Sequence, residues 1–193
     1  MLGMQATGCE NINLVSPSHV VPQILTAVDM AAARGLELPL VYNTGGYDAL
    51  STLELLDGVV DIYMPDMKFS DNKVAERFCG VRRYATVNRT AVREMHRQVG
   101  DLVLDDHGVA MRGLLVRHLV LPEGVAGTSQ MAQFLVSDVS PDTYVSVMDQ
   151  YRPAHKAETR ADIGRRPTMA EYAVALRQAR AAGLRRVVGR EEG

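Results

Sequence analysis

The stretch Val59-Val60-Asp61-Ile62-Tyr63-Met64-Pro65-Asp66-Met67-Lys68 decides how the chain is read. Its run over 59–64 is short, apolar and β-rich, Gly58 precedes it and Pro65 breaks it, so it predicts a buried β-strand. Asp66 and Lys68 follow two residues apart, and an extended backbone turns both to the same side. A strand that becomes charged at its end and leads into a helix is how parallel α/β proteins place working groups at the carboxyl end of a sheet.

The same plan recurs on both sides of this stretch. Upstream, a strand over 12–15 ends in Ser16-Pro17-Ser18-His19, and a helix opens near Pro22 and stops at Gly35. A second strand over 38–42 ends in the polar turn Asn43-Thr44-Gly45-Gly46-Tyr47, and Ser51 with Glu54 forms a capping-box pattern. Downstream, Ser70 or Asp71 caps a short helix that closes at Gly80, and a longer helix carries Val87, Ala91, Met95 and Val99 on one face. Residues 102–111 read as a hairpin around a Gly turn, an insertion over 100–113 in an otherwise βα rhythm. A fourth strand over 114–121 and a fifth over 143–148 follow, and Thr168 with Glu171 opens a last helix that stops at Gly183. Five strands alternating with helices predict parallel pairing, either as an open doubly wound sheet or as part of a (β/α) barrel. Polar groups at every strand end favour the barrel. Residues 1–8 read as the tail of a helix, which implies a segment upstream.

Composition narrows the function. The 193 residues suffice for one well-buried domain, expected to span 1–193. A net charge of −2 gives no bulk pull towards nucleic acid or an anionic membrane. No apolar run reaches membrane-spanning length, and the amino terminus lacks a secretory pattern. Cys9 and Cys79 alone build neither a disulfide framework nor a four-cysteine metal site. A cytoplasmic protein is expected.

The strand tips collect Asn13, Ser16 and His19; Asn43 and Thr44; Asp66 and Lys68; Arg117 and His118; and Gln150 and Tyr151. Carboxylates and cations in one concave site suit a zwitterion, with Lys68 or Arg117 meeting a carboxylate and Asp66 an ammonium. The plainer alternative is that Asp66 and Lys68 only pair with each other. Arg117 lies inside an apolar strand, where an unpartnered guanidinium is costly, so it either serves the site or bridges structurally, for instance to Asp61. Strand alternation points His118 to the other face, as a packed histidine. The paired Gly45-Gly46 lets a phosphate approach the backbone, but matches neither a dinucleotide fingerprint nor a P-loop. No zinc-hydrolase or serine-hydrolase motif occurs. A barrel enzyme using Asp66 and Lys68 as acid and base remains open from the residues alone.

Several of these strings together carry a family likeness. They are residues 8–19 with Pro22-Gln23-Ile24-Leu25, Leu40-Val41-Tyr42-Asn43-Thr44-Gly45-Gly46-Tyr47, the opening stretch, Glu94-Met95-His96-Arg97-Gln98-Val99-Gly100, residues 112–122, and Met148-Asp149-Gln150-Tyr151-Arg152-Pro153. They resemble the radical S-adenosylmethionine (radical SAM) proteins, in the branch of pyruvate formate-lyase activating enzyme and its poorly characterised iron–sulfur members. The resemblance implies a partial (β/α) barrel of the radical SAM type, with about five parallel strands present and the first βα unit missing. It implies S-adenosylmethionine and a [4Fe–4S] cluster as cofactors, held in the family by a CxxxCxxC motif. An electron from the cluster cleaves S-adenosylmethionine to a 5′-deoxyadenosyl radical, and in the activases the radical is passed to a glycyl radical enzyme. A flavodoxin or ferredoxin as electron donor is implied in the same way.

This chain has no CxxxCxxC, so no metal ligand is assigned, and it is expected to be inactive without a cluster segment. A cluster-free remnant that binds S-adenosylmethionine, a nucleotide or a partner is the alternative. By match to the family's strand ends, Asp66, Lys68 and Arg117 are expected at S-adenosylmethionine. Asn43 and Thr44 are expected beside it, and Tyr151 or His155 over it. Ser16 stands where many relatives carry a Gly-rich turn.

Overall fold

The computed structural model describes residues 1–190. In chain order the elements are α1 (Leu2–Ala6), β1 (Ile12–Val15), α2 (Val21–Ala32), β2 (Leu40–Thr44), α3 (Leu50–Glu54) and β3 (Ile62–Pro65). They continue with α4 (Asn72–Cys79), α5 (Tyr84–Val99), β4 (Val103–Leu104), β5 (Ala110–Leu119), α6 (Thr128–Asp138), β6 (Tyr144–Met148), α7 (Met169–Ala181) and β7 (Arg186–Val188). The sheet order is β1-β2-β3-β5-β6-β7, all parallel, with β4 antiparallel on β5. One parallel strand more than the expected five is present: β7 lies in the arginine-rich tail, where Val187 and Val188 are too short a run to stand out.

Local chemistry sets the element ends. Asp71 caps α4 by accepting from the amides of Lys73 and Val74, and Gly80 closes it at φ 68. The capping box that opens α7 is formed: Thr168 accepts from the Glu171 amide, and Glu171 accepts from Thr168. Arg165 also grips Glu171 and holds its carboxyl well below the usual range. The expected box at Ser51 does not form, because α3 begins two residues earlier than that cap requires and is capped by Ala49 without a side-chain bond. The second strand starts at Leu40 rather than Leu38, since the amides of Glu37 and Leu38 bond the Gln5 side chain of α1.

The two faces of the sheet differ. On the helix-facing side, Tyr42, Tyr63, Leu114, Val116, Val145 and Val147 pack under Leu53, Leu56, Met95, Leu135 and Tyr172. Each such fully buried side chain contributes roughly 1.5–3 kcal/mol from removal of apolar surface from water. On the inner face a smaller cluster joins Val41, Ile62, Met64, Leu115 and Tyr144 to Leu102 of the β4–β5 hairpin. Gly113 permits this: at φ 116 it lets Asp101 and Leu102 cross where a Cβ would stand 2.3 Å from the Asp101 carbonyl oxygen. Arg186 of β7 donates to the Leu102 carbonyl (2.6 Å), so the amino-terminal end of the inner face is closed. The carboxyl-terminal end stays open.

Candidate functional site

At that open end, alternation along β3 and β5 sorts the side chains. Asp66 and Lys68 come forward while Met67 goes into the core; Arg117 comes forward while His118 is fully buried behind it. The backbone bridge Asp66↔Arg117 sets the two residues side by side. Arg117 donates to Asp66 Oδ1 through Nε (2.8 Å) and Nη2 (2.7 Å), and Lys68 Nζ pairs with Asp66 Oδ2. One carboxylate therefore serves two cations. Asp61, the alternative partner for Arg117, lies at the other end of β3, where its Oδ2 accepts from the Leu40 amide (2.8 Å).

Asp66, Lys68, Arg117, Leu119, Met148, Gln150, Tyr151 and Arg152 line a cavity of about 510 Å³, a size suited to a small molecule. Tyr151 is fixed by donating to the Ile163 carbonyl (2.9 Å), and burial pushes its phenol up.

A second set of residues holds this wall from behind. Tyr84 and Asn88 are one helical turn apart on the buried face of α5. The Tyr84 hydroxyl is within 2.9 Å of the Gly45 carbonyl and 3.0 Å of the Asp66 carbonyl, and it accepts from the Lys68 amide (3.1 Å). Asn88 Nδ2 donates to the Gly46 and Asp66 carbonyls, each at 2.9 Å. Gly46 fits between them only as glycine, since a Cβ would stand 2.2 Å from Asn88 Nδ2. His118 closes the arrangement, with Nδ1 2.7 Å from the Met67 carbonyl and Nε2 2.9 Å from the Thr128 hydroxyl. Full burial pushes its imidazole down to about 4, against the opposing pull of the Met67 carbonyl. The neutral ring donates through Nδ1 and accepts Thr128 at Nε2.

Of the residues expected at the site, Asp66, Lys68, Arg117 and Tyr151 share the cavity. Ser16 and Asn43 do not line it; they sit at the neighbouring tips of β1 and β2, joined by the Ser16 amide on the Asn43 carbonyl (2.8 Å). Ser16 takes the left-handed conformation, φ 53, that a glycine adopts freely. Thr44 turns away from the cavity. The second strand runs on to Thr44 instead of ending at Tyr42, so alternation places its hydroxyl with Tyr42 on the helix side. There both donate to buried Asp48, at 2.7 and 3.1 Å, as does Ser18 at 2.6 Å. Leu119, Met148 and Arg152 also line the cavity; none is among the strand-tip candidates, although all three lie in strings that carry the family likeness. Tyr84, Asn88 and Asp48 gave no signal, because their partners lie far away in sequence.

The fold as a whole has solved counterparts. A domain of pyruvate-formate lyase-activating enzyme from Bacteroides vulgatus superposes with a TM-score of 0.64 at 13% identity, over 94% of this chain and 99% of that one. A radical SAM methyltransferase from Sphaerobacter thermophilus matches with a TM-score of 0.54 at 14% identity, over 92% of this chain and 57% of that one. This is the radical SAM fold of the activase type. In sequence, this chain is 30% identical over 167 residues to the uncharacterized protein MJ0674 of Methanocaldococcus jannaschii. That match takes in 86% of this chain and 45% of the relative, so the chain spans less than half of the relative's length. No protein-family model matches. No helix among the described residues is long and apolar enough to cross a membrane.

The two cofactors that the sequence resemblance implies fare differently. Among the described residues no group of three or more His, Cys, Asp or Glu side chains could hold a metal ion. Cys9 precedes β1 at the amino end of the sheet, and Cys79 closes α4 beyond the carboxyl end of β3. These residues do not fit an iron–sulfur cluster. They do fit the amino-acid end of S-adenosylmethionine: Asp66 complements an ammonium, Lys68 and Arg117 a carboxylate, and Leu119, Met148 and Tyr151 supply apolar wall.

Proposed function

We propose that the cavity binds S-adenosylmethionine and that this chain is the S-adenosylmethionine-side portion of a radical SAM enzyme of the glycyl-radical-enzyme activase type. The observation that carries it is the Lys68–Asp66–Arg117 cluster, at the carboxyl ends of adjacent strands in a sheet of radical SAM topology. In this reading Arg117 and Lys68 orient the ligand carboxylate, Asp66 takes its ammonium, and Tyr151 with Met148 keeps water from one side. S-adenosylmethionine supplies the group that reacts, and the protein supplies binding and orientation. In the same reading Ser16 and Asn43, at the tips of β1 and β2, meet the far end of an extended ligand. A glycyl radical enzyme as partner and a flavodoxin or ferredoxin as donor belong to the same proposal for the whole protein.

The missing metal-ligand group favours a second reading, in which the described residues bind S-adenosylmethionine or a nucleotide without reductive chemistry. Titration calorimetry of the iron-free chain with S-adenosylmethionine tests the binding common to both. Saturable binding is expected, weakened about tenfold or more by Arg117→Gln, since a charged partner of the carboxylate is lost. Wild-type chain that takes up no S-adenosylmethionine would defeat the proposal.

A further inference from the structure

The cavity carries more positive charge than its expected ligand can use. Lys68, Arg117 and Arg152 line it against the single carboxylate of Asp66. Lys68 and Arg117 already share that carboxylate, whereas Arg152 has no hydrogen bond or ion pair among the described residues. Lys68 spends one of its three donors on Asp66, and Arg117 Nη1 has no hydrogen-bond acceptor among the described residues. S-adenosylmethionine bears one carboxylate against an ammonium and a sulfonium, so it adds positive charge to a cavity that already has an excess. Like charges gathered in a partly desolvated site repel.

We propose that the Arg152 side of the cavity takes the oxyanion, phosphate or carboxylate, of a second small molecule. Its placement beside S-adenosylmethionine rests on the function proposed above; the anion binding itself does not. The geometry is suited to it: Arg152 and Gln150 bring donors from the end of β6, and Met148, Leu119 and Tyr151 form an apolar floor for the rest of the molecule. A guanidinium with its fork free is the group best matched to phosphate or carboxylate.

The test titrates the iron-free chain separately with inorganic phosphate, pyrophosphate and succinate, and in parallel with S-adenosylmethionine. At least one anion is expected to bind saturably, about tenfold more weakly in Arg152→Gln and more weakly still as salt is raised. Exposed Arg34→Gln on the far side of the sheet is expected to bind as wild type. The strongest of the three distinguishes a phosphate from a carboxylate ligand. Failure of all three anions to bind, or equal affinity in Arg152→Gln and wild type, overturns the inference. Anion binding without S-adenosylmethionine binding overturns the proposed function and leaves the anion site standing; the reverse result does the opposite.

Discussion

Asp66 does three jobs with one residue. Its carboxylate serves Lys68 and Arg117, its carbonyl receives Tyr84 and Asn88, and its amide donates to the Thr44 carbonyl (2.9 Å). The presence of a carboxylate near Arg117 was legible in the sequence, because a cation inside an apolar strand needs a partner. Which carboxylate was not, because only strand register decides between Asp61 and Asp66. Behind it, His118 makes a pH-dependent contribution. An unfolded histidine titrates near 6.5, and burial lowers this one to about 4, so between those values the unfolded chain binds the extra proton and the folded chain does not. Stability is thus fully present above about pH 6.5 and falls as pH drops towards 4, by on the order of 3 kcal/mol across the window. Urea unfolding at a series of pH values should show this slope, and His118→Gln should flatten it while lowering stability at neutral pH.

At the scale of elements, α5 is the part that sequence reading described least well. Of its expected apolar face, Ala91, Met95 and Val99 are buried as the spacing predicts, while Val87 is only half-buried. Tyr84 and Asn88 extend that face with polar atoms, and periodicity alone cannot say that these atoms reach the tips of β2 and β3. The caps at Asp71 and Thr168 were legible because a cap and its helix are local in sequence. The second strand's end was misplaced by two residues, and that alone moved Thr44 from the site to the core side. Asn88→Ala tests the role of α5: it strands the Gly46 carbonyl, leaves the Asp66 carbonyl to Tyr84 alone and should cost roughly 1–3 kcal/mol. If Asn88 positions the site, ligand affinity should fall as well, with the cavity side chains all intact. Thermal unfolding and S-adenosylmethionine titration on the same sample separate the two effects.

For the whole molecule, the repeated strand–helix plan was readable from the rhythm of apolar runs and breaks, and the solved counterparts share it. The sixth parallel strand escaped because an edge strand of three residues leaves almost no pattern. The described residues supply a wall for a ligand but no cage for iron. Anaerobic incubation with iron and sulfide should therefore leave the described chain without a stable four-iron cluster, as judged by iron content and visible absorbance after desalting. A stable cluster would show that Cys9 and Cys79 are closer to their task than the fold implies. One feature of the tip bears on binding itself. The amides of Asp66, Met67 and Lys68 already have acceptors in Thr44, Arg117 and Tyr84, so the turn is fastened before any ligand arrives. Such preorganisation means that little chain freedom is lost on association, and affinity there reflects the quality of the contacts rather than the cost of folding a loop around them.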